Sequence, residues 1–268
     1  MRGTLLTMIV ASILSVSASE LSFTESLREE AGSNWTAVIA HKFTDELAAG
    51  SISKDVLTRY LIQDHRFIDA FVVLLSSMVA AAPTLKDRIP GAQFLGLITG
   101  KENTYFERSF EALGVTEVER AVPNAPVQAA FEGLMRDAAH SGSLASMLAV
   151  LVVAEWSYQS WGERVLPVSV AEPFWCREWV DLHSGEYFGS VVGYLRGLLD
   201  RVIPTLPPAE VEAARAYFAC AVQLELVFFD QAYSEAPLPA PTCSALIAIQ
   251  RPRTSWWRKA LGLKPRQP

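Results

Sequence analysis

Residues 144–165 read LASMLAVLVVAEWSYQSWGERV, and this stretch decides the fold. Ser143 stands before it as an N-cap, with a side-chain oxygen available to a first-turn amide. From Leu144 to Val153 the segment is apolar nearly all round, the pattern of a helix covered on every side by others. Yet Glu155 falls in line with Leu144, Leu148, Leu151 and Tyr158, where leucine would be usual. Two more carboxylates share that placement. Asp64 sits among Leu57, Tyr60, Leu61, Phe67, Ile68, Phe71, Val72 and Leu75 at helical spacing, and Glu225 shares a face with Phe218, Val222 and Phe229. A carboxylate left in an apolar interior is costly unless it is paired, hydrogen-bonded or protonated. Each could serve only as a structural ion pair or a backbone cap. Three on separate helices, each with aromatic neighbours, point instead to one shared pocket. Repulsion and desolvation there would raise at least one pKa toward neutrality, as acid–base chemistry requires.

Outward from this segment the periodicity stays helical, with no strand alternation. Ser22 to Ala49 reads as one helix, or two abutting ones broken near Gly32; Ser53 caps the next, which runs to about Ala82. Thr84 to Leu113 reads as one helix bent around Pro90 and Gly91 and stopped by Gly114. A helix entered from Pro123–Pro126 ends near Gly142, and shorter ones follow at Glu172 to Leu182, Gly185 to Ile203 and Pro208 to Tyr233. The expectation is an all-α, single-domain helical bundle of seven to eight helices with short connections. Residues 21–234 form that domain, and residues 235–268 form a tail that is Pro-rich and then basic.

Residues 1–20 read as a signal or targeting segment: Arg2, an apolar run from Leu5 to Val16, and Val16-Ser17-Ala18 as a small-residue cleavage site. That predicts secretory or organelle targeting; the alternative is an extension without a signal role on a cytoplasmic protein. The net charge of −6 leaves no basic stripe for nucleic acid. Basic residues gather only between Arg251 and Arg266, around Trp256 and Trp257, read as a solvated terminus rather than a membrane-binding piece. Cys176, Cys220 and Cys243 have no metal-ligand spacing and suggest no disulfide scaffold, and Cys220 reads as a small core residue. The histidines His41, His65, His140 and His183 offer no Glu-x-x-His pair for a di-iron site. His41 is the one placed for a haem. No metal and no cofactor are expected.

Three motifs in order resemble the thiaminase II family, also called TenA, across roughly Leu21 to Tyr233. Tyr60-Leu61-Ile62-Gln63-Asp64 looks like the family's Tyr-x-x-Gln-Asp signature. Ser141-Gly142-Ser143, Ala154-Glu155-Trp156-Ser157-Tyr158 and Gly162-Glu163 follow its central helix, and Glu225 with Phe228, Phe229, Ala232 and Tyr233 sits at its catalytic glutamate. The resemblance implies a haem-oxygenase-like fold and a hydrolase of thiamin-pyrimidine breakdown products, aminopyrimidine or formylaminopyrimidine, in thiamin salvage. Homo-oligomerisation is typical of that family. The family's nucleophilic cysteine is matched here by Ala154 and is followed by Glu155, as in the TenA_E branch, which lacks the thiol. Two pocket tyrosines of the family are matched by Phe67 and His183, the latter one residue uncertain in alignment.

On that resemblance Asp64 accepts from the exocyclic amine of the pyrimidine, and Glu225 hydrogen-bonds or protonates the ring nitrogen. Phe67, Phe71, Trp156 and Phe229 would cover the ring faces, with His183 beside them. Without a thiol, water must attack, and Glu155 would activate it or protonate the leaving amine, with Tyr158 one turn later steadying the leaving group. Two other readings stay open: a pyrimidine-binding protein without turnover, and a cofactor-dependent oxygenase on the same fold.

Overall fold

In a computed structural model, residues 21–242 are described, and among them eleven α-helices and no strand are found. In chain order they are α1 Phe23–Ile39, α2 Lys42–Ala48, α3 Lys54–Ala81, α4 Leu85–Leu97, α5 Asn103–Leu113, α6 Glu117–Arg120, α7 Pro126–His140, α8 Leu144–Val165, α9 Phe174–Leu182, α10 Gly185–Val202 and α11 Pro208–Ala232. The signal-type segment 1–20 and the basic tail lie outside the described residues. The excess over seven or eight helices comes from breaks inside segments that read as continuous. Gly32 bends α1 at φ 49°, and a second break at Ala40 separates α2, whose N-cap is the His41 ring: its Nδ1 accepts from the Phe43 amide at 3.1 Å. Thr84 to Leu113 is divided by a π-helical turn, Ile98–Glu102, between α4 and α5. The four-residue α6 carries its own capping box through Thr116 and Glu119.

The longer helices begin and end where local chemistry says they should. Ser53 caps α3 by accepting from Val56, Ser143 caps α8 by accepting from Ser146, and Pro208 opens α11 without losing a needed amide bond. Gly114 closes α5 in the left-handed conformation at φ 74°. Helix α8 is the axis. It packs against α11, α10, α3, α7 and α1, and every residue from Ala145 to Tyr158 is buried. Cys176 is a buried free thiol. Cys220 is buried too, in the apolar run of α11.

Candidate active site

The carboxylates of α3, α8 and α11 line one interior cavity. Asp64, Phe67, Ile68 and Phe71 face it from α3, at intervals of three and four residues. Ala154, Glu155 and Tyr158 come from α8, and Glu225 and Phe228 from α11. Phe131 of α7, Trp179 of α9, and Ile98 and Glu102 of the π turn complete the wall. His183 enters as the C-cap of α9. Its placement depends on Gly162, where a Cβ would fall 2.3 Å from the His183 carbonyl oxygen.

Four acids therefore share this cavity: Asp64, Glu102, Glu155 and Glu225, none more than 7 % exposed. No lysine or arginine lines it. The Oδ2 of Asp64 is buried with no hydrogen-bond partner, and nothing among the described residues hydrogen-bonds or ion-pairs with Glu102, Glu155 or Glu225. Burial pushes Asp64 up to about 7, a rise only partly offset by the Tyr60 hydroxyl beside it. Glu155 is held well above the usual carboxylate range by burial, then by Glu225 and Asp64. Glu225 rises through burial and Asp64, and Glu102 through burial, Glu155 and Asp64. Each of these acids is easier to protonate than an exposed carboxyl, and in its protonated form it can donate as well as accept a hydrogen bond. Among the described residues, no three of His, Cys, Asp and Glu are grouped to hold a metal ion.

Tyr158 and Tyr60 share a hydrogen bond of 2.7 Å between hydroxyls, which ties Tyr158, on the cavity wall, to Tyr60 of α3. Burial moves His183 down to about 4, against the pull of its hydrogen bond to the Trp179 carbonyl. Its ring is thus neutral near pH 7. Nδ1 lies 2.9 Å from that carbonyl, which can only accept, so Nδ1 carries the proton and Nε2 is the free acceptor.

Two expected ring-covering aromatics lie elsewhere. Trp156 follows Glu155 directly, so the helix turns it about 100° away from the cavity. It packs on Trp35 at 5.0 Å, with the Arg196 guanidinium 3.6 Å above its ring. Phe229 is likewise turned from the cavity, behind the wall between Phe43 and Tyr60. Its neighbour Phe228 takes the lining position. Glu102, Phe131 and Trp179 were not foreseen. Glu102 had a signal available, being the one acid in line with Ile98 and Phe106, but the π turn disguised the period. His41 is no haem-type ligand: one ring nitrogen caps α2 and the other pairs with Asp230 at 3.2 Å.

Residues 28–235 match the model of the TENA/THI-4/PQQC family. The chain is 25% identical over 218 residues to an aminopyrimidine aminohydrolase of Halalkalibacterium halodurans, covering 80% of this chain and 97% of that one. An aminopyrimidine aminohydrolase of Bacillus subtilis is 25% identical over 173 residues, 64% of this chain and 73% of its own length. Among solved structures, a TenA homologue from Pyrococcus furiosus superposes with a TM-score of 0.71 at 24% identity, over 79% of this chain and all of its own. The fold is the haem-oxygenase-like helical bundle.

Proposed function

The chain belongs to the TENA/THI-4/PQQC family, and on that footing we propose that it hydrolyses the C–N bond between an aminopyrimidine's exocyclic methylene and its amine. The product is the hydroxymethylpyrimidine, in the salvage of thiamin breakdown products. The observation that carries this reading is the shared cavity: Asp64, Glu155 and Glu225, on three different helices, face one space walled by aromatic rings.

The chemistry follows from which group donates and which accepts. Glu225 hydrogen-bonds the ring nitrogen, donating when protonated, and Asp64 accepts from the exocyclic amine. Phe67, Phe71 and Phe228 cover the ring. Ala154 stands where the thiol-bearing branch has its nucleophile, so we place this chain in the branch without it. Water then supplies the new oxygen. As the C–N bond breaks with its electron pair to nitrogen, the water oxygen bonds to the methylene carbon and its proton passes to Glu155. Glu155 must be ionised to accept that proton, and a cationic substrate beside it favours ionisation. Tyr158 steadies the departing nitrogen.

The test is incubation of the purified protein with the aminomethylpyrimidine, its N-formyl derivative and thiamin, following ammonia and formate separately. Ammonia from the amine is expected, and thiamin should be cleaved slowly. Thiamin turnover on the order of 1–10³ s⁻¹, or no ammonia at all, would overturn the reading.

A further inference from the structure

Glu102 has no task in that mechanism, yet it is among the most constrained acids in the molecule. It is 6 % exposed, lines the cavity and finds no partner among the described residues. It stands at the end of the π turn Ile98–Glu102. Turns of that width are rare interruptions of α-helix and gather at functional sites, because they re-aim a side chain that regular winding would carry elsewhere. The remaining acids enter from α3, α8 and α11, so Glu102 adds a carboxyl from a separate wall. It shares the cavity with both Glu155 and Asp64, and the charge of either one raises its pKa further.

A cavity with four acids and no basic side chain suits a cation, and a cation beside Glu102 favours its ionised form just as it does beside Glu155. We propose that Glu102 is a specificity-determining residue, whose carboxylate accepts a hydrogen bond from the protonated primary amine on the substrate's methylene, so that the site takes this arm as an ammonium ion. The assignment rests on the aminopyrimidine reading above and adds the ionic state of the arm. Protonation also suits the chemistry. An ammonium leaves as neutral ammonia: the C–N electron pair goes to nitrogen, water's oxygen bonds to carbon, and water's proton goes to Glu155. A free amine would have to leave as an amide ion. A formamido arm is neutral, and a thiazolium has charge but no N–H on its nitrogen, so neither completes the contact with Glu102.

The experiment uses the full chain and its Glu102→Gln and Glu102→Asp variants. Two quantities are measured on each: kcat/KM for the aminomethylpyrimidine, and the competitive-inhibition constant of the uncharged hydroxymethyl product. Loss of a charge-assisted hydrogen bond should lower the amine's kcat/KM in Glu102→Gln by roughly 10–100-fold, chiefly through KM. Product inhibition should stay near the parent's, which also reports an intact pocket. Glu102→Asp keeps the charge and should recover part of the loss. An unchanged kcat/KM in Glu102→Gln, or equal loss of both quantities in both variants, overturns the proposal. A parent that neither releases ammonia nor binds the product overturns the aminopyrimidine reading instead, and this inference with it.

Discussion

Asp64 is a carboxyl held at about 7 in the fold against an ordinary value of 3.8. The folded chain therefore binds an extra proton between those two values. The stability tied to this group is fully present below the lower value and is lost as pH rises through the upper one. The full difference is worth about 4 kcal/mol. Asp64→Asn removes the titration, so its melting temperature should fall less than the parent's between about pH 4 and pH 8, as thermal melts across that range would read. A steeper fall in the variant would mean that Asp64 is not the proton-binding group. The same substitution should weaken binding of the hydroxymethyl product, because the amide can turn a donor toward the exocyclic amine; about 1.5–3 kcal/mol is at stake. Glu155→Gln should behave differently. An amide is nearly isosteric but carries no proton, so turnover should drop about 10²–10⁴-fold while calorimetry finds product affinity close to the parent's. Single-turnover rates within a few-fold of the parent would make Glu155 a structural acid.

At the level of elements, the site depends on how α8 and α9 approach each other. Gly162 lets the α8 backbone pass directly beneath the His183 carbonyl, and the added methyl of Gly162→Ala would meet that oxygen at 2.3 Å. Backbone rather than a flexible side chain opposes it, so the end of α9 must shift, carrying His183 with it. We expect about 1–3 kcal/mol of destabilisation, the usual cost of overpacking, together with weaker product binding. Denaturant unfolding of the variant at parental stability would contradict this. The π turn has the opposite character: a local widening rather than a close approach, which brings Ile98 and Glu102 to the same wall. Its composition, Ile-Thr-Gly-Lys-Glu, carries no marker that separates it from an ordinary helical turn.

Across the whole molecule, the described fold closes on itself at its first helix. Ser22 caps α1, and the backbone amide of Thr24 bonds Asp200 of α10 at 2.8 Å. Trimming residues 1–19 should therefore leave the melting transition and ammonia release unchanged; an aggregated or inactive product would show that the segment belongs to the core. Most of the architecture was legible in the sequence because it rests on local rules. Serine caps, glycine stops and an all-apolar run at Leu144 to Val153 dictate which residues are helical and which helix is central, without reference to anything distant in the chain. The placement of Asp64, Glu155 and Glu225 in apolar stripes was equally local, since burial of a stripe implies burial of the acid within it. Which acids and rings face the same space is not local. It depends on the rotation of each helix about its axis, and one residue changes that by about 100°. Trp156 and Phe229 were lost to the cavity by that single step, while Phe228 was gained by it. Glu102 reached the wall only through an extra-wide turn, and Trp179 and Phe131 only because α9 and α7 pack where they do. The sequence by itself determined the helices and the unusual acids; the packing of those helices decided which side chains meet.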